Sequence, residues 1–148
     1  MTRRTTILFT IVLVLFALLL MAGIASAGGR PLAADLTGAA EAPGPGDPDG
    51  AGWATVTLNQ VQGEVCYDIT VTGVDPILAA HIHVAPPGSP GPVVVGFDIA
   101  GQGLSGCVAA SAELIKAIRQ DPGAYYVTVH NAPYPAGALR GQLYVPED

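Results

Sequence analysis

The chain has 148 residues, half of them hydrophobic, and carries six basic against twelve acidic side chains for a formal net charge of −6. Phosphate binding needs clustered Lys and Arg, so this sparse, scattered basic content excludes nucleic acid as a partner. The charge reads instead as a solvated surface that maintains solubility.

At the N-terminus, Arg3 and Arg4 precede an apolar run from Ile7 to Ile24, and the small residues Ala25, Ser26 and Ala27 follow. This layout predicts a secretory signal over residues 1–27, cut after Ala27, and therefore a secreted or extracytoplasmic protein. The run approaches the roughly 18–20 residues that span a bilayer, so an uncleaved anchor tethering the domain to the membrane is the competing reading. No cysteine follows the run to carry a lipid. Residues 28–148 then form a single domain, long enough to bury a core without metal or many disulfides. Its four basic residues (Arg30, Lys116, Arg119 and Arg140) stand against twelve acidic ones, a net charge of −8.

Between the signal and Trp53, the segment Glu41 to Gly50 (EAPGPGDPDG) cannot be regular helix or central strand. A short strand near Ala33 to Ala39 and then an exposed loop are expected. Asp47 and Asp49 lack the ligand spacing of a calcium loop, so a solvated turn is the simpler expectation. From Trp53 onward the period is two. Ala54, Val56 and Leu58 alternate with threonines, and Val65, Tyr67, Ile69 and Val71 alternate with Cys66, Asp68, Thr70 and Thr72, which predicts a hairpin turned around Asn59 to Gly63.

Further strands are expected at Ala80–Val84, Val93–Ile99, Tyr125–Asn131 and Leu139–Val145. Ser111 to Gln120 (SAELIKAIRQ) breaks the pattern, with Leu114, Ile115 and Ile118 at helical spacing behind a serine cap and Asp121-Pro122-Gly123 as a stop. The fold class is therefore all-β, a sandwich or barrel with one short helix. Cys66 and Cys107 are an even pair in an exported chain and are expected to be oxidised, with two free thiols as the alternative. A bridge closing those 41 residues contributes about 3–4 kcal/mol in the chain-entropy model. The spacing argues against a redox Cys-x-x-Cys pair or a cysteine zinc site.

The three histidines fall in two strands. Residues two apart share a strand face, so His81 and His83 point away from Ala80, Ile82 and Val84. By the same parity His130, with Tyr126 and Thr128, points away from Tyr125, Val127 and Val129. If these strands are neighbours, three imidazoles converge on the outer wall, a first shell for copper, or less favourably zinc, with an open position. The alternative is that each histidine makes surface or loop hydrogen bonds. Arg140 shares the outer face, where it can hold an anion beside a metal or form a surface ion pair. Tyr126 and Tyr144 either wall the site or pack under loops. No Gly-x-Ser-x-Gly nucleophile motif and no phosphate-cradling loop is present.

The blocks AAHIHVAPPGSPGPVVV and YVTVHNAPYPAGALRGQL, with the opening LTGAAEAPGPGDPDGAGWATVTL, resemble the signature blocks of the chordin-type, or CHRD, domain. The resemblance covers nearly all of Leu36 to Val145. Thr128 and Ala138 stand where that family usually has Asn and Glu. The family implies an immunoglobulin-like β-sandwich or barrel without a settled general activity. A fainter similarity to copper-zinc superoxide dismutases falls on HIH, VTVH and AGALRG. It implies a Greek-key barrel, copper ligands at His81, His83 and His130, and an anion-guiding role for Arg140. With no further histidine, a two-metal site of that kind is excluded.

Three functions follow as expectations. The first is an exported module holding one copper ion, without assigned catalysis. The second is a cell-surface or extracellular interaction module with structural histidines, its unknown protein partner meeting the loops Ala85–Pro92 or Ala132–Pro135. The third is a copper-only, dismutase-like enzyme.

Overall fold

Alternation of inward and outward side chains builds the domain, and the computed structural model, which describes residues 31–74 and 76–147, shows eight strands among them. They are β1 (Leu32–Thr37), β2 (Ala51–Asn59), β3 (Glu64–Thr72), β4 (Ala79–Val84), β5 (Val93–Gly96), β6 (Ser105–Ala109), β7 (Tyr125–His130) and β8 (Leu139–Gln142). All pairings are antiparallel, in the order β5-β4-β7-β8-β1-β2-β3-β6. The non-sequential neighbours β4 with β7 and β3 with β6 give Greek-key connections. The sheet curls into a nearly closed barrel. At the seam between the outermost strands, Tyr67 of β3 stacks on Phe97, just after β5, with ring centroids 4.2 Å apart. The all-β expectation holds. The expected signal, residues 1–27, lies outside the described residues, and no helix among those described is long and apolar enough to cross a membrane.

The β2–β3 hairpin forms where expected, with Asn59 opposite Glu64 and a positive φ of 66° at Gly63. Ala54, Val56, Leu58, Val65, Tyr67 and Ile69 all turn into the core. Helix α2 (Ala112–Gln120) begins at Ser111, whose hydroxyl accepts the Leu114 amide at 3.2 Å. It buries Ile115 and Ile118 against the barrel.

Four expectations change in detail. Strand β5 ends at Gly96 rather than Ile99, because the Asp98 carboxylate accepts the Gly101 amide at 3.0 Å and starts a single helical turn, α1 (Ile99–Gln102). An Asp that bonds its own backbone favours a cap over a ladder. Strand β6 was not expected. It is an edge strand held by β3, with Cys66 and Cys107 directly opposite each other and disulfide-bonded. Strand β8 ends at Gln142, so Val145 is 44% exposed instead of joining Leu139 and Leu143 inside. The loop after β1 is not wholly solvated either: Asp47 is buried, and its amide donates to the Ala138 carbonyl at 2.8 Å.

Candidate metal centre

Antiparallel pairing of β4 with β7 sets Ala79 opposite His130, His81 opposite Thr128 and His83 opposite Tyr126. Ala80, Ile82, Val127 and Val129 fill the core face of this pair. The three imidazoles therefore share the outer face, and one nitrogen of each lies within 4.8 Å of the others. Each ring is half-buried. The convergence anticipated from parity is what the chain adopts.

Hydrogen-bond partners define which nitrogens face inward. His83 Nδ1 is 2.8 Å from the Gly91 carbonyl and His130 Nδ1 is 3.1 Å from the Pro135 carbonyl. A carbonyl only accepts, so both Nδ1 atoms carry hydrogen and both Nε2 atoms are bare lone pairs. His81 Nδ1 lies 3.1 Å from His130 Nε2 and therefore donates to it. His83 Nε2 is buried with no hydrogen-bond partner among the described residues. A buried, unsatisfied nitrogen is costly, and such atoms in native proteins call for a ligand, an ion or water.

Electrostatics favour the neutral forms of His81 and His130. Burial, then the neighbouring His130 and His83, push the His81 pKa down to about 4. Burial also lowers that of His130, opposed by its bond to Pro135 and by the charge of Glu41, and reinforced by His83. Glu41 arrives from the proline-rich segment, and the Thr128 hydroxyl lies within hydrogen-bond reach of both its carboxylate and the Leu139 carbonyl.

Arg140 lies on the outer face, as its parity requires, but it is only 1% exposed. Its Nη1 donates to the Ser89 carbonyl at 2.8 Å, and Nη2 to the Pro86 carbonyl at 2.9 Å and to Gln142 Oε1 at 3.4 Å. The guanidinium also covers the Tyr126 ring, 3.5 Å from its centre. A cation so enclosed does not meet a solute anion without movement of the overlying loop, so the geometry departs from both surface roles considered for it. Of the two outer tyrosines, Tyr126 is covered by the same loop. Tyr144 lies elsewhere, edge-on to Trp53 at 6.2 Å and bonded to Asp35.

A comparison with protein families matches the CHRD domain over residues 32–143. The chain belongs to the CHRD domain family. The match runs from the first residue of β1 to just past β8, so it takes in the whole barrel and all three histidines. No curated protein and no solved structure matches the chain.

The donor set of this CHRD domain suits one borderline cation. Three imidazoles present nitrogens within 4.8 Å of one another, and His83 Nε2 is buried without a hydrogen-bond partner among the described residues. For His81 to offer Nδ1 as a ligand, its ring would carry its hydrogen on Nε2 instead. Parity reasoning missed the supporting groups: Gly91, Pro135 and Glu41. The carbonyls carry no side-chain signature. Glu41 sits 87 residues from Thr128, a separation that no local pattern spans.

Proposed function

We propose that this CHRD domain is an extracytoplasmic module that binds one copper ion through His81, His83 and His130. The observation that carries the reading is His83 Nε2, buried without a hydrogen-bond partner among the described residues, in a ring that offers a nitrogen within 4.8 Å of nitrogens on His81 and His130. The Cys66–Cys107 bridge supports an oxidising compartment, and the N-terminal segment has the layout of an export signal. Imidazole donors favour copper(II) over most competing divalent ions, and zinc is the alternative occupant. Bound copper with an open position would supply Lewis acidity and redox chemistry. The chain itself contributes neutral ligands, fixed ring orientations and partial exclusion of water.

A dismutase-like activity finds less support, because Arg140 is bonded to loop carbonyls rather than open to solvent. The test of the binding reading is a copper(II) titration of purified protein at neutral pH beside His81→Ala. Stoichiometric uptake lost in the variant supports it. No uptake by the wild type, or equal uptake by both, removes it.

A further inference from the structure

Strand β7 runs between β4 and β8, so the Tyr126 ring is flanked from two sides. From β4 comes His83, nearly parallel to it, with ring centroids 4.9 Å apart and planes 15° off. From β8 comes Arg140, its guanidinium 3.5 Å from the ring centre. Above these residues passes the loop from Ala85 to Pro92. Its prolines 86, 87, 90 and 92 are exposed, so core burial does little to seat it.

Polar contacts from below hold the loop instead. Arg140 takes the carbonyls of Pro86 and Ser89, and Gln142 Nε2 donates to the Ala85 carbonyl at 2.7 Å. The Gly91 amide donates to the Tyr126 hydroxyl at 3.1 Å, and the Gly91 carbonyl receives His83 Nδ1–H. Gly91 must be glycine for this approach, because a Cβ there would overlap the Val84 carbonyl.

Resting on the copper-binding reading above, we propose that Arg140 is a positioning residue for the metal centre. By seating the loop it keeps the Gly91 carbonyl on His83 Nδ1, and so holds the His83 ring with its bare Nε2 turned toward His81 and His130. The chain of contacts is short: guanidinium, loop carbonyls, Gly91, imidazole. Second-layer groups that orient a ligating histidine typically change metal affinity 10–100-fold when removed. Arg rather than Lys suits the task, because a planar fork reaches two carbonyls at once.

The experiment compares wild type with Arg140→Met, and with Tyr126→Phe, which removes only the hydroxyl that receives the Gly91 amide. Folding of each is confirmed by circular dichroism. In metal-free protein at pH 7.5, nitrogen NMR of the histidine rings reads the His83 tautomer, and hydrogen exchange reads the Gly91 amide. Wild type is expected to hold His83 as the Nδ1–H tautomer. Arg140→Met shifts it toward a mixture, speeds Gly91 exchange and weakens copper(II) binding about 10–100-fold, with a smaller change of the same kind in Tyr126→Phe. A folded Arg140→Met with the wild-type tautomer and wild-type Gly91 exchange overturns the proposal. Should Arg140→Met fail to fold, Arg140→Lys, which keeps the charge but cannot reach both carbonyls at once, decides the matter by the same two readouts. A tautomer shift in the variants together with no copper uptake by wild type keeps the positioning role and sinks the metal reading.

Discussion

His81 Nδ1 and His130 Nε2 meet at 3.1 Å across the β4–β7 pair, a hydrogen bond that exists only while His130 Nε2 is unprotonated. Protonating His130 Nε2 would place two N–H groups face to face.

This pair makes the metal-free fold sensitive to acid. The His81 pKa falls from 6.5 in the unfolded chain to about 4 in the native state, and that of His130 is also lowered. The native state thus binds fewer protons, and the stability is fully present above pH 6.5 and lost as pH falls toward 4. Thermal unfolding at a series of pH values is expected to show that slope in wild type. It should be reduced in His81→Asn, by about 1 kcal/mol once solvent screening of a half-exposed ring is allowed for.

Copper should stabilise the protein by mass action. At free copper(II) one hundred times Kd the native state gains about 2.7 kcal/mol, roughly 10 °C in Tm for a domain of this size. Scanning calorimetry with and without copper measures the shift, which EDTA should reverse. His83→Ala should lose it. An equal shift in that variant would place the ion elsewhere.

The disulfide is a separate source of stability. Opening the 41-residue loop by replacing both cysteines with serine is expected to cost about 3–4 kcal/mol in urea unfolding. Because Cys107 lies on the edge strand β6, hydrogen exchange should accelerate there before it does at β4 and β7.

Packing beneath the barrel is expected to be independent of the metal centre. Ile115→Ala, at a fully buried position on α2, should cost about 2–5 kcal/mol. Its copper(II) affinity, measured by titration below the unfolding temperature, should match wild type.

What the sequence disclosed follows from range. Period two is a local signal, so the hairpin at Asn59–Gly63 and the shared face of His81, His83 and His130 were legible without the structure. Strand β6 was not, since Ser-Gly-Cys-Val-Ala offers too little apolar alternation, and its place depends on β3. The early end of β5 came from one Asp98 side chain bonding its own backbone. Arg140 was assigned the correct face but not its burial, because the carbonyls that cover it lie 51 and 54 residues away. Parity tells which way a side chain points. It does not tell what folds over it.

At the β6 edge, Gln102 offers both ends of its amide to one residue: Oε1 accepts the Cys107 N–H at 3.0 Å and Nε2 donates to the Cys107 carbonyl at 3.0 Å. A side chain thereby imitates the missing next strand at the position of the disulfide. Unpaired strand edges template the addition of further chains. Gln102 blocks that growth at its own site, so replacing it with a residue that cannot make both bonds would turn a closed margin into a place where fibres can begin.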